Sequence, residues 1–216
     1  MSRTLYSYFR SSAAFRVRIA LGLKGLDYDY AAVNIFPGVD EQKSDKYRRM
    51  NPQGRVPFLV DGDLSLGQSP AILEYLEEAY PSPALLPESL AARARVRQLM
   101  NIITCDIHPL NNLAVLGELK SRFGADDAAT QDWYRHWIKV GFTALEAIMA
   151  ESPGTYTHGH TVTLADVCLV PQVWNARRFN LPLDDFPHIV AADAACRELP
   201  AFQAAMPEQQ PDAPKA

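Results

Sequence analysis

The sequence predicts two structural classes in series, an α/β unit followed by an all-helical one. Within residues 4–80, short runs of β-branched and aromatic residues alternate with helical patterns. Pro81, Pro83 and Pro87 then interrupt the chain. Beyond Leu90 the patterns are helical almost throughout, with no strand alternation of any length. These observations place a first domain at residues 1–81, a linker at 82–89, a helical domain at 90–208 and a flexible tail at 209–216, where Pro211 and Pro214 work against regular structure.

Taken in order, residues 4–8 read as a strand, 12–23 as a helix with Gly25 where a C-terminal glycine belongs, and 28–33 as a strand. Residues 57–60 are apolar and run into Asp61-Gly62, a hairpin signal, with 64–66 as the return strand. Ser69-Pro70 opens a helix with serine as N-cap and proline at N1, and Leu73, Leu76 and Tyr80 continue along one face. The result is β-α-β, a connector, then β-β-α: a parallel pair joined to an antiparallel hairpin in a mixed four-stranded sheet. This order looks like a thioredoxin-type domain. Its hallmark would be Val56-Pro57, where a cis peptide would expose the Val56 backbone at the sheet end. In the helical half, Pro109 should break the first long helix. Val162 to Val167 is a helix start in which Thr163 caps, Asp166 reaches back, and Val162 and Val167 form a hydrophobic staple.

Composition narrows the function classes. With 48% hydrophobic and 21% charged residues, the 216-residue chain is globular rather than disordered. A net charge of −4 argues against a broad basic surface for nucleic acid or anionic membrane. Cys105, Cys168 and Cys196 are widely spaced with no CxxC or Cys/His ligand pattern, so neither a disulfide framework nor a metal site is expected. No run approaches the ~18 apolar residues of a membrane span, and the N-terminus lacks a signal-peptide pattern. The expectation is a soluble cytoplasmic protein.

Two short segments carry candidate chemistry. At the first strand-to-helix turn, Arg10-Ser11-Ser12 puts hydroxyls where helix N–H groups and the macrodipole favour an anion. A thiol held there would ionise more readily, but taken alone the serines read more simply as plain helix caps. Gln68-Ser69 repeats the situation at the next helix, where a ligand carboxylate would meet the Ser69 N–H and hydroxyl.

Together, Ser11-Ser12, Val56-Pro57, Gln68-Ser69 and an all-helical second half resemble the glutathione transferases. The likeness extends to the zeta class, the maleylacetoacetate isomerases with maleylpyruvate isomerases as near relatives, and runs to about Asp212. It rests on Leu5 to Ser12, Arg16 to Leu21, Asn51-Pro52, Gln68 to Ile72 and Leu169 to Val173. Ala13 stands where the family pattern has cysteine, a residue the maleylpyruvate-type relatives also lack, and Phe15 replaces the usual Trp or His.

The resemblance implies glutathione as cofactor. Gln68 and Ser69 would hold its γ-glutamyl end, the Val56 backbone its cysteinyl part and Gln42 its glycine end, while Ser11 and Ser12 face the sulfur, Ser11 being slightly favoured. His108, Asn112 and Leu113 would line the matching groove, although His108 also reads as a structural residue before a proline and Asn112 as a plug in a broken helical ladder. Arg10 and Arg178 would clamp the carboxylates of the substrate, since a guanidinium fork suits a carboxylate. Arg16 and Arg18 read as structural, and Arg177 as a solvated neighbour of Arg178. The implied activity is isomerisation of maleylacetoacetate to fumarylacetoacetate, by thiolate addition, bond rotation and elimination, in aromatic-compound or amino-acid catabolism. Maleylpyruvate is the second substrate. The rivals are a general glutathione transferase or dehalogenase, and a non-catalytic binding module on the same fold. The family also implies a homodimer with a two-fold interface.

Overall fold

The computed structural model describes residues 3–151 and 153–214; Met1, Ser2, Ser152, Lys215 and Ala216 lie outside them. The chain divides into two compact units, one running up to Ala84 and resuming at Glu198, the other spanning Leu85–Arg197.

The first unit starts with strand β1 (Arg3–Ser7), helix α1 (Ser12–Leu23) and strand β2 (Asp29–Ala32). After a 3₁₀ turn at Glu41–Lys43 come α2 (Asp45–Met50), β3 (Phe58–Asp61), β4 (Leu64–Gly67) and α3 (Ser69–Ala79). The sheet order is β2-β1-β3-β4. The β1–β2 pair is parallel with Leu5 opposite Tyr30, and β3 is antiparallel to both β1 and β4, with Leu59 opposite Leu5 and Leu66. This is the mixed four-stranded sheet expected from the order of elements, and Val56-Pro57 is cis.

Helix α1 occupies the centre. Ser12 through Leu21 are all buried, so the helix shows no solvent face. Its C-cap is Lys24, whose ammonium is fully enclosed and donates to Glu77 Oε2 (2.8 Å) and to the carbonyls of Tyr80 (2.7 Å) and Pro83 (3.0 Å). All three ammonium protons are thereby satisfied. At the end of β3 Asp61 accepts from Tyr75 (3.0 Å) and Tyr80 (2.7 Å) and pairs with Arg3 (3.2 Å). Burial alone would raise the Asp61 pKa, but the two phenols and the guanidinium bring it below the usual carboxylate value.

The second unit contains α4 (Leu90–Asn101), α5 (Leu113–Phe123), α6 (Asp127–Glu151), α7 (Leu164–Arg178) and α8 (Pro187–Arg197). Helix α7 is its core, buried from Leu164 to Val173 and packed on α4, α6 and α8. Its start is the expected capping box. Asp166, wholly buried, accepts from the N–H and hydroxyl of both Thr157 and Thr163. Between α4 and α5 the chain widens into a π-helical turn at Ile102–Ile107, with His108 N donating to Ile103 O, and then breaks around Pro109.

Three expectations need correction. The connector before β3 is partly helical, since Ser44 caps α2 by accepting from Tyr47 N, and Tyr47 packs against Val33 and Phe58. The cap of α3 is Gln68 rather than Ser69, which moves Ser69 to N1 and Pro70 to N2. The stretch from Glu198 belongs to the first unit, not to the helical domain or to a loose tail. Here α9 (Pro200–Ala205) packs on α1, and Asp212 accepts hydrogen bonds from Phe9 N and the Tyr30 hydroxyl. Side-chain bonds fix a segment whose prolines rule out longer helices. Among the described residues no helix is long and apolar enough to cross a membrane.

The Lys24 site gives a direct test. Glu77→Ala should cost about 3–5 kcal/mol in denaturant unfolding, because an enclosed ammonium loses its counter-ion. The Lys24→Met/Glu77→Leu double variant should recover most of that loss. Equal stability of Glu77→Ala and the parent would show that the pair is not enclosed.

Candidate active site

The residues singled out by sequence group at the ends of secondary elements. Ser11 is the N-cap of α1: its N–H donates to Tyr8 O (2.9 Å) and its Oγ accepts from Ala14 N (3.2 Å). A hydroxyl that accepts one bond still has its own proton to donate, so capping does not consume Ser11. Ser12 is the first residue inside α1 and is buried. Arg10, one residue earlier, is half-buried, with its guanidinium 5.7 Å from the Phe9 ring centroid and 5.9 Å from that of Phe36. Both are cation–π distances.

A second group forms at the start of α3. Ser69 is 3% exposed, and its Oγ accepts from Arg16 Nη1 at 3.2 Å. Arg16, itself 1% exposed, thus touches a candidate binding residue, a role the sequence reading did not assign to it. Its one available signal was an arginine inside an otherwise apolar helix, which needs buried acceptors. Gln68 holds a left-handed backbone (φ 66°, ψ 109°), and its side-chain amide donates to Gln53 Oε1 at 2.7 Å. Gln42 is buried in the 3₁₀ turn. Its Nε2 donates to Asp40 Oδ1 (3.1 Å), while its Oε1 has no partner among the described residues. Gly54 lets this turn approach the Gln53 loop, since a Cβ there would lie 2.9 Å from Gln42 O at a φ of +61°. Val56 follows Arg55, whose carbonyl accepts from Asn51 Nδ2 (2.7 Å) and the Tyr47 hydroxyl (2.8 Å).

In the second unit the picture is mixed. His108 is half-buried just past the π turn. Asn112 caps α5: its Oδ1 accepts from Ala114 N (2.9 Å) and Val115 N (3.2 Å), and its Nδ2 donates to Pro109 O. Its amide mends the break at Pro109. Leu113, at the first position of α5, is 50% exposed. Arg178 closes α7 with its guanidinium 5.9 Å from the Trp174 ring and 5.0 Å from that of Phe179, which stacks on Tyr134 at 3.7 Å. Arg177 is exposed, as a solvated neighbour would be, but it also donates to the buried Asp193 Oδ2 at 2.6 Å.

The arrangement in the first unit can therefore hold an anion at each of two helix N-termini. At α3 the site combines an N1 amide, which has no acceptor within its own helix, an oriented hydroxyl and a guanidinium behind it. The backbone of Gln68 is the conspicuous strain. Gln68→Gly should be about 1 kcal/mol more stable than Gln68→Ala, because only glycine takes this φ without a steric cost. Thermal unfolding of the two variants gives the answer, and equal midpoints would show the backbone is relaxed.

Known proteins share this chain along its whole length. Residues 5–84 match the family model for the glutathione S-transferase N-terminal domain. A maleylpyruvate isomerase of a Ralstonia species is 51% identical over 210 residues, covering 96% of this chain and 98% of its own. The holo structure of a maleylpyruvate isomerase, described as a bacterial zeta-class glutathione S-transferase, superposes with a TM-score of 0.95 at 51% identity, covering 98% of this chain and 100% of that one. A maleylacetoacetate isomerase from Anaeromyxobacter dehalogenans with glutathione in its active site is 44% identical, with a TM-score of 0.88 over 99% of this chain and 98% of that one. By sequence, fold and full-length coverage, this chain belongs to the zeta-class glutathione transferases, the family of the maleylacetoacetate and maleylpyruvate isomerases.

Proposed function

We propose that this protein is a glutathione-dependent cis-trans isomerase of a maleyl-keto acid, maleylacetoacetate in the first instance, acting in the cytoplasm in aromatic-compound or amino-acid catabolism. The observation that carries the cofactor is the Ser69 site, where a helix amide and a hydroxyl held by buried Arg16 suit a carboxylate. The buried, unpartnered Gln42 Oε1 adds an acceptor that suits a peptide-like ligand, because a buried polar atom without a partner is costly. In this reading Gln68 and Ser69 take the γ-glutamyl carboxylate, the Val56 backbone pairs with the cysteinyl part and Gln42 faces the glycine end.

When bound, glutathione supplies a thiolate that adds reversibly to the conjugated double bond and so permits rotation. The chain's task is to keep the sulfur ionised and the substrate oriented. Ser11 and Ser12 serve the first need, with donors and the N-terminal dipole of α1 favouring negative charge. Arg10 and Arg178 serve the second, since each guanidinium can fork onto a carboxylate and hold it while the rest of the molecule turns. His108 and Leu113 are assigned to the wall of the substrate groove. Asn112 acts there through the cap that fixes Leu113.

Maleylpyruvate is the second reading. Ala13, in place of the family cysteine, and the 51% identity to the Ralstonia enzyme favour it. A spectroscopic isomerase assay with both keto acids decides between them. Turnover of neither, with retained glutathione binding, would leave the general transferase or the binding module. We further propose a homodimer, and light scattering that shows only monomer at micromolar concentration would reject it.

Two sets of variants test the residue roles. Arg178→Ala should lose about 1.5–3 kcal/mol in kcat/KM for the keto acid, roughly ten- to a hundredfold, with glutathione affinity unchanged and Arg178→Lys recovering only part. Arg177→Ala should instead lower the unfolding midpoint, because it strands the buried Asp193. Of Ser11→Ala and Ser12→Ala, at least one should raise the thiol pKa of bound glutathione, read as thiolate absorbance against pH. No change in either variant would remove the serines from the thiolate.

A further inference from the structure

The loop bearing Arg10 and Ser11 is held from the far end of the chain. Asp212 Oδ2 accepts from Phe9 N at 3.0 Å, and its other oxygen accepts from the Tyr30 hydroxyl at 2.6 Å. On the other side of the same residue, Arg18 Nη2 donates to Phe9 O at 3.0 Å, while Nη1 reaches Ser7 Oγ (3.2 Å) and Tyr8 O (3.4 Å). Phe9 is thus gripped at both its N–H and its carbonyl, immediately before Arg10. The Asp212 segment is itself anchored. Arg18 Nε donates to Ala205 O at 3.1 Å, and Gln210 Nε2 donates to Ala204 O (2.9 Å) and Met206 O (2.8 Å). Burial, and then the bond to Asp212, raise the Tyr30 pKa, so the phenol remains a donor at any working pH.

We infer that Asp212 is a positioning residue for the Arg10–Ser11 loop, with the chain's last turn holding the carboxylate-binding guanidinium and the thiolate-facing hydroxyl in working geometry. The inference rests on the isomerase reading for its activity arm. Two contacts of Asp212 make the role separable from simple anchoring. Its bond to Tyr30 seats the segment on β2, and its bond to Phe9 N fixes the loop. Asp212→Ala removes both, Tyr30→Phe removes only the first, and Asp212→Asn can keep both, because an amide oxygen can accept from Phe9 N while the Tyr30 hydroxyl turns to accept from the amide nitrogen.

The test compares these three variants in the full-length protein. In the ligand-free protein, hydrogen exchange at the Phe9 amide should accelerate in Asp212→Ala and stay slow in Tyr30→Phe and Asp212→Asn. In the isomerase assay, kcat/KM for the keto acid should fall about tenfold in Asp212→Ala and stay within about twofold in the other two, while calorimetric glutathione affinity holds in all three. Exchange at Phe9 unchanged in Asp212→Ala, or activity falling equally in Asp212→Ala and Tyr30→Phe, would overturn the inference. Failure of the parent protein to turn over either keto acid would instead overturn the isomerase reading, and the exchange result would still judge the loop contact.

Discussion

Two guanidiniums inside a helix that has no solvent face set the terms for the first unit. Arg16 and Arg18 are each 1% exposed on α1, and a charge so placed is tolerable only where acceptors surround it. Arg16 meets Ser69 at the head of α3, and Arg18 gathers the carbonyls of Tyr8, Phe9 and Ala205. Burial pulls the Arg18 pKa down to about 10, partly offset by Tyr30, Tyr28, Asp212 and Glu208, so it stays charged at neutral pH. The contacts of these two side chains bring the α1 loop, the start of α3 and the C-terminal segment to the same helix. Ser69, a candidate ligand residue, is itself one of those contacts, and Ser11 lies two residues beyond Phe9.

The helical unit solves its equivalent problem with a carboxylate. Asp166 is enclosed at the start of α7, where four donors from Thr157 and Thr163 compensate the burial that raises its pKa. The capping box turns the loop before α7 into a fixed lead-in for the most buried helix of the unit. Arg177 and Asp193 then tie the other end of α7 to α8. Arg178, the next residue, therefore starts from a backbone held on both sides.

Much of this was legible in the sequence where a local rule decides the outcome. The limits of α1 follow from Ser11 and Gly25, the hairpin from Asp61-Gly62, and the start of α7 from Thr163 and Asp166. What escaped depends on partners distant in the chain or on unusual backbone. Arg16 reads as a structural residue, but its partner stays hidden until Ser69, far along the chain, is placed against it. Helix α2 buries little besides Tyr47, too little for a periodic signal. Gln68 takes a positive φ that propensity assigns to glycine, which shifts the cap of α3 by one position. Asp212 lies 203 residues from Phe9, and no local pattern connects them.

That last separation sets the order in which the protein can be finished. During synthesis the sheet, α1 and α3 can assemble once Ala79 has emerged, but α9 and Asp212 follow only after the whole helical unit has been made. Closing so long a loop costs entropy that grows only slowly with length, so the contact is thermodynamically cheap yet late. A ribosome-bound chain that has not yet reached residue 212 would carry Ser11 and Ser12 with Phe9 N still unclaimed by Asp212. The unit whose translation begins first is closed only after the helical unit has been made.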